Sequence, residues 1–200
     1  MTLTESIFNL PISGLAYDLA AWPFVFKARE YIKDSLKGTV QPGDSILEVG
    51  IGTGMVSTYL AEELSLNVDG IDSSLRMLEM AKSRTSSLKA GSVALYQGKA
   101  TDLPVSGPYK AVVMSYLLRH LGPEDLPKAF SECARVTNRE SRLIIVDLYL
   151  PKPGPQQVLG VWSVHDPDSL IAQAREGEFE VVEVKKAIPS IFLTFIKKAT

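Results

Sequence analysis

The sequence holds a single cysteine, Cys133, in 200 residues. An intramolecular disulfide is excluded, and so is a zinc site built from cysteines; no metal site is expected. Cys133 stands in AFSECARV, a helix-like stretch, where a thiol reads as buried filler rather than as a nucleophile. No apolar run approaches the roughly 20 residues that span a bilayer, so no membrane insertion is expected. The opening MTLTESIFNLPISGL lacks the basic start and long apolar core of a signal peptide. A cytoplasmic protein is the resulting expectation. Basic charge is in short supply too. Lys and Arg number 21 against 23 Asp and Glu, a net charge of −2, which disfavours nucleic acid as the main partner. Histidine occurs twice, at His120 and His165. There is no internal repeat and no low-complexity segment.

The length fits one domain with a sizeable core. Residues 15–39 read as one or two helices, interrupted at Trp22-Pro23 because the residue before a proline avoids helical geometry. From Ser45 the pattern alternates. SILEV reads as a strand, Met55 to Leu64 as a helix, NVDGID as a strand and Ser74 to Ser86 as a helix capped by Ser73 or Ser74. SVALYQG and KAVVMS read as the third and fourth strands. Glu124 to Val136 follows as a helix with Pro123 at its first turn, then SRLIIVDLYL as the fifth strand. A proline-rich link, Pro151 to Pro155, precedes a helix at Asp168 to Glu176. FEVVEVKK and SIFLTFIKK are separated by too few residues for a crossover, so they should form an antiparallel hairpin. Alternating strands and helices imply an α/β fold, a parallel sheet with helices on both faces.

The strongest chemical signal is ILEVGIGTG, Ile46 to Gly54. A strand ends at Glu48-Val49, and Gly50, Gly52 and Gly54 turn the chain into a helix, as in loops that cradle part of a nucleotide. The motif is GxGxG rather than GxGxxG. Met55 stands where a dinucleotide fold places its third glycine, which argues against NAD. A carboxylate beside the loop, Glu48, suits a ligand carrying an ammonium and a cationic sulfur. Asp72 ends the second strand, where an acid can accept from both hydroxyls of a ribose.

ILEVGIGTG, VDGIDSS, GKATDLPV and KAVVMSYLLRHL, followed by SRLIIVD and the final hairpin, resemble the ordered motifs of the class I S-adenosylmethionine-dependent methyltransferases. The resemblance runs from about Pro42 to Lys198. It implies a Rossmann-like, seven-stranded, mostly parallel sheet in the order 3-2-1-4-5-7-6 with strand 7 antiparallel. It also implies a single domain overall, with residues 42–200 binding the cofactor and the helices of residues 1–41 covering it. The implied cofactor is S-adenosyl-L-methionine, converted to S-adenosyl-L-homocysteine. Glu48, Gly50, Ile51, Gly52, Thr53 and Gly54 would lie along its methionine part. Asp72 and Ser73 would hold the ribose, and Ala100, Thr101, Asp102 and Leu103 the adenine. Ser115 and Tyr116 would sit near the sulfonium. Tyr17, in a Tyr17-Asp18 pair like one that precedes the core in small-molecule and quinone-ring relatives, would approach the cofactor.

In-line methyl transfer needs chiefly a close, aligned acceptor. A general base is needed only when the acceptor must lose a proton. His120, after the fourth strand, is the candidate base. Arg119, Trp162 and His165 are candidates for contact with a small-molecule acceptor. MSYL stands where an NPPY-type signature would mark methylation of adenine N6 or of glutamine. Two other readings stay open: a cofactor-binding regulatory or scaffold protein that transfers nothing, and an NAD-dependent oxidoreductase. The sequence also leaves room for a homo-oligomer.

Overall fold

The computed structural model describes the backbone of residues 14–149 and 165–198, and the side chains from residue 24 onward. The first element is one helix, α1 (Gly14–Leu36). The expected interruption at Trp22-Pro23 is absent. A proline inside a helix removes one hydrogen bond, but the turns after it are held by Ala28, Ile32 and Leu36. These are fully buried on one stripe against the sheet.

The chain continues through β1 (Ser45–Val49), α2 (Met55–Leu64), β2 (Asn67–Asp72), α3 (Leu75–Thr85), β3 (Ser92–Gln97) and β4 (Tyr109–Ser115). A short 3-10 turn (Leu118–His120) follows, then α4 (Leu126–Arg135), β5 (Thr137–Leu148), α5 (Pro167–Glu176), β6 (Phe179–Ala187) and β7 (Ser190–Lys197). The strands form one sheet in the order β3-β2-β1-β4-β5-β7-β6. β3, β2, β1, β4 and β5 run parallel, and β7 runs antiparallel to both β5 and β6. This is the order and sense implied by the resemblance.

The central strands are buried on both faces, and their period of two sorts side chains between two cores. Leu47, Val112, Met114, Leu143 and Ile145 face Phe130 and Cys133 of α4 and Leu170 of α5. Ile46, Ala111, Val113, Ile144 and Val146 face α1 and α2. Glu48 shares the parity of Ile46, so its carboxyl lies on the α1–α2 side of the sheet.

Two boundaries differ from the sequence reading. α4 begins after Asp125, and the proline in its first turn is Pro127 rather than Pro123. Gly122 to Asp125 instead closes a turn in which Asp125 N–H donates to the Gly122 carbonyl at 3.0 Å. β5 starts at Thr137, four residues earlier than expected. Its polar beginning pairs with β4 across an irregularity between Tyr109 and Ala111, where the apolar pattern is silent. Ser74 is the cap of α3, its hydroxyl accepting from Met77 N–H at 3.4 Å.

Phe130 is among the largest fully buried side chains, packed between α4, α5 and the sheet. Phe130→Ala is expected to lower unfolding free energy by about 3–5 kcal/mol, read from urea denaturation. A loss below about 1 kcal/mol would show that this core can collapse around the cavity.

Candidate active site

The parallel strands end on a common edge, and the loops leaving that edge build the site. After Val49 the chain must turn sharply into α2. Gly50 and Gly52 adopt φ of +77° and +56°, which side-chain-bearing residues rarely do. A Cβ on Gly50 would meet Leu117 Cδ1 at 2.8 Å, whereas one on Gly52 would meet nothing within 4 Å. Gly50 is thus required by the protein's own packing, and Gly52 leaves open space on its ligand side.

Hydrogen bonds to the end of β2 and to α3 set the loop. Gly50 and Ile51 N–H both donate to the Ile71 carbonyl, at 2.7 and 2.9 Å. Gly52 N–H donates to Asp72 Oδ2 at 2.9 Å. From α3, Arg84 Nε donates to the Thr53 carbonyl at 2.9 Å. Asp72 also accepts from Ser74 N–H through Oδ1, at 2.9 Å. Burial raises its pKa, and these backbone donors oppose the rise. Glu48, 2% exposed, accepts from Ser57 Oγ of α2, and burial pushes its carboxyl up to about 8.

These groups line a cavity of about 1410 Å³. Small-molecule pockets usually hold roughly 300–1,000 Å³, so this one has room for two ligands side by side. Its wall carries Glu48, Gly50 to Thr53, Asp72, Ser73, Leu75, Ala100 and Thr101 from β1 to β3 and their loops, and also Phe24 and Val25 of α1 with Ser115, Tyr116, Arg119 and His120 from the end of β4 onward. Tyr116 has φ of +54°, and its N–H donates to the Val146 carbonyl at 2.7 Å. Its hydroxyl lies 3.0 Å from Ser190 Oγ and donates to the Phe24 carbonyl at 3.3 Å. The Arg119 guanidinium stands 5.3 Å from the Tyr116 ring centre, and Arg119 Nε donates to His120 Nε2 at 3.1 Å.

A family profile described as a methyltransferase domain matches residues 46–140. An O-methyltransferase of Aspergillus nomiae is 31% identical over 151 residues, 70% of this chain and 66% of the relative. A 2-phytyl-1,4-naphtoquinone methyltransferase of Nostoc is 29% identical over 141 residues, 68% of this chain and 61% of the relative. The chain therefore spans less than two thirds of the length of either. Among solved structures, phosphoethanolamine N-methyltransferase 2 of Haemonchus contortus, in complex with S-adenosyl-L-methionine, has a TM-score of 0.82 at 14% identity. That match covers 100% of this chain and 60% of the other, and it shows the fold. The chain belongs to the class I S-adenosylmethionine-dependent methyltransferases.

S-adenosylmethionine is the cofactor of this family, and the methyltransferase cavity fits it. The open space at Gly52 admits a ligand, and two acids, the buried Glu48 and the half-buried Asp72, suit its cationic and hydroxyl-bearing parts. The remaining expected residues divide. Ala100 and Thr101 stand in the wall, but Asp102 is exposed and Leu103 is packed in the core, neither among the lining residues. Leu103 N–H donates to Glu132 Oε2 of α4 at 2.7 Å, so this segment is clamped from the helix side. His165 Nε2 lies 2.8 Å from the Leu118 carbonyl and is not among the lining residues either. Trp162 and the side chain of Tyr17 lie outside the described residues.

His120 reaches the cavity, yet its chemistry is unlike that of a base. Burial, and then the Arg119 charge, lower its pKa to about 3. The imidazole is neutral near pH 7, with its Nε2 lone pair turned to Arg119. Among the lining residues not singled out from the sequence are Leu75 and Phe24. Leu75 is an apolar side chain, 60% exposed at the start of α3, that stands in the cavity wall. Phe24 comes from α1, with no motif to mark it.

The raised pKa of Glu48 has a consequence for the cofactor-free protein. Its carboxyl ordinarily titrates near 4.5, and in the folded state near 8. The folded state keeps its proton longer than the unfolded one, so stability from this group is present below about pH 4.5 and lost as pH rises through 8. Urea unfolding is expected to show a falling midpoint between about pH 5 and pH 8.5, with a flatter profile in Glu48→Gln. Equal slopes in the two proteins would remove Glu48 as the cause.

Proposed function

We propose that this protein is a methyltransferase that moves the methyl group of S-adenosylmethionine to a small-molecule acceptor by in-line displacement. The observation carrying the proposal is the glycine loop. Gly52 faces open space while its N–H is fixed on Asp72, so the loop is shaped for a ligand on one side and locked on the other. Bound S-adenosylmethionine supplies a methyl group already activated by a cationic sulfur, and its transfer leaves S-adenosylhomocysteine.

In this reading Glu48 and the backbone of Gly50 to Gly54 hold the methionine part. Asp72 accepts from the ribose hydroxyls, with Ser73 beside it. Ala100 and Thr101 border the adenine, and Leu75 covers its ring. Ser115 and Tyr116, where β4 ends, flank the path to the acceptor. Arg119 and His120 form the polar wall of the acceptor half, and Phe24 closes it from α1 as the first part of a cover supplied by residues 1–41. The acceptor is placed by contact and alignment, since a neutral imidazole engaged with Arg119 is a weak proton acceptor. The named activities of the Aspergillus and Nostoc relatives support a small organic acceptor. A reducing, cytoplasmic setting is part of the proposal. Cys133 is buried, with its thiol held far from ionisation, and among the described residues no helix is long and apolar enough to cross a membrane.

Calorimetric titration with S-adenosylhomocysteine tests the reading. Binding is expected in the wild type, and Asp72→Ala should weaken it by about 1.5–3 kcal/mol, on the order of 10–100-fold, through lost hydrogen bonds to a charged group. Gly52→Val should abolish it by filling the ligand's space. A wild type that binds NADH and not S-adenosylhomocysteine would overturn the proposal, and a Gly52→Val protein that binds normally would move the site elsewhere.

A further inference from the structure

Asp147 is a buried acid that the cofactor reading does not use. It is 4% exposed, one residue before the end of β5, and faces the 3-10 turn that carries Arg119 and His120. Its Oδ1 accepts from Leu148 N–H at 2.7 Å and its Oδ2 from Arg119 N–H at 3.3 Å. Burial raises its pKa, and the Arg119 charge acts against that rise. Burying a carboxylate costs several kcal/mol, and only good partners offset it. A neutral side chain at the end of a strand would avoid that cost, so the charge itself needs a reason.

The reason is visible one bond further on. Arg119 has its backbone on Asp147, its guanidinium over the Tyr116 ring at 5.3 Å, and its Nε on His120 Nε2 at 3.1 Å. Tyr116 is in turn tied to Ser190 at the start of β7 and to the Phe24 carbonyl. The acceptor half of the cavity is thus one chain of contacts from β5 through the 3-10 turn to β7 and α1, and Asp147 is its buried anchor.

We propose that Asp147 is a positioning residue that fixes the 3-10 turn and the Arg119 guanidinium, and through them holds the His120 imidazole in a single orientation and tautomer toward the acceptor. Arg119 donates to Nε2, so the His120 proton resides on Nδ1. An asparagine at 147 has one carbonyl oxygen for the backbone N–H donors of Leu118, Arg119 and Leu148, turns an N–H₂ toward some of them and removes the charge facing Arg119. The turn then loses its register, and His120 loses its fixed partner. The assignment rests on the methyltransferase reading of the cavity.

The test uses imidazole nitrogen NMR on the whole protein, where two histidines give two separable signal sets. In the wild type, His120 is expected to show one tautomer, with an unprotonated Nε2, across neutral pH. In Asp147→Asn the His120 nitrogens should move to averaged tautomer positions, while S-adenosylhomocysteine affinity stays within about twofold of wild type. Arg119→Lys, which keeps the charge and removes the Nε donor, should produce the same averaging. Should the Asn variant fail to fold, Asp147→Ser, which keeps one acceptor for Leu148 N–H, takes its place with the same expectation. A His120 signal unchanged in the folded Asp147 variant, or in Arg119→Lys, overturns the assignment. Failure of the wild type to bind S-adenosylhomocysteine would instead sink the reading of the cavity, and leaves the tautomer result to decide the role of Asp147 alone.

Discussion

The carbonyl oxygen of Ile71 accepts from two successive N–H groups, those of Gly50 and Ile51, and the rest of the site hangs from that pair of hydrogen bonds. It joins the end of β1 to the end of β2 at the point where the chain leaves the sheet. The loop must reverse within a few residues, which only positive φ permits, and Leu117 presses on Gly50 from the β4 side. With both constraints met, Gly52 N–H reaches Asp72 and the helix α2 begins where Ser57 can meet Glu48. One backbone acceptor therefore helps to set the spacing between Glu48 and Asp72 in the cavity wall.

Those acids share a physical situation with Asp147. Glu48, Asp72 and Asp147 stand at the carboxyl ends of β1, β2 and β5, and burial raises the pKa of all three. Parallel strands bring their ends to one edge, so desolvated carboxyls collect where the ligand binds. Each is compensated differently. Asp72 has backbone donors, Asp147 has backbone donors and the Arg119 charge, and Glu48 has the hydroxyl and backbone N–H of Ser57 against a cost of burial that still raises its pKa. A cationic ligand arriving beside Glu48 lowers that cost, which favours binding of a sulfonium amino acid over a neutral one.

The fold was legible from the sequence because its signals are local. Strand periodicity, the glycine motif, Asp72 at a strand end and the short link in the last hairpin each lie within a few residues. The sheet order came from the resemblance rather than from periodicity. Misread boundaries arose where tertiary contact outweighed a local rule. Ala28, Ile32 and Leu36 carry α1 past Pro23, and β5 extends through polar residues that only its pairing with β4 defines. Most of the residues expected along the cofactor line the cavity, and among the described residues Gly54, Asp102 and Leu103 are those that its wall does not include.

The acceptor half was poorly legible for a structural reason. Its members come from α1, the end of β4, the 3-10 turn and the end of β5, separated by up to more than a hundred residues in the chain, and each is an ordinary residue in its own context. His120 illustrates the difference between position and chemistry. Sequence position brought it to the right edge, yet the role of base depends on solvation and on the neighbour that holds its lone pair. Burial lowers its basicity most, and Arg119 adds to that by raising the cost of a second positive charge and by occupying Nε2. A guanidinium and a neutral imidazole held together favour an acceptor that is already nucleophilic, or that is made more acidic by the Arg119 charge, over one that needs a strong base. On the proposed reading of the cavity, this edge of the sheet would contribute electrostatics around the transferred methyl rather than a proton-abstracting side chain.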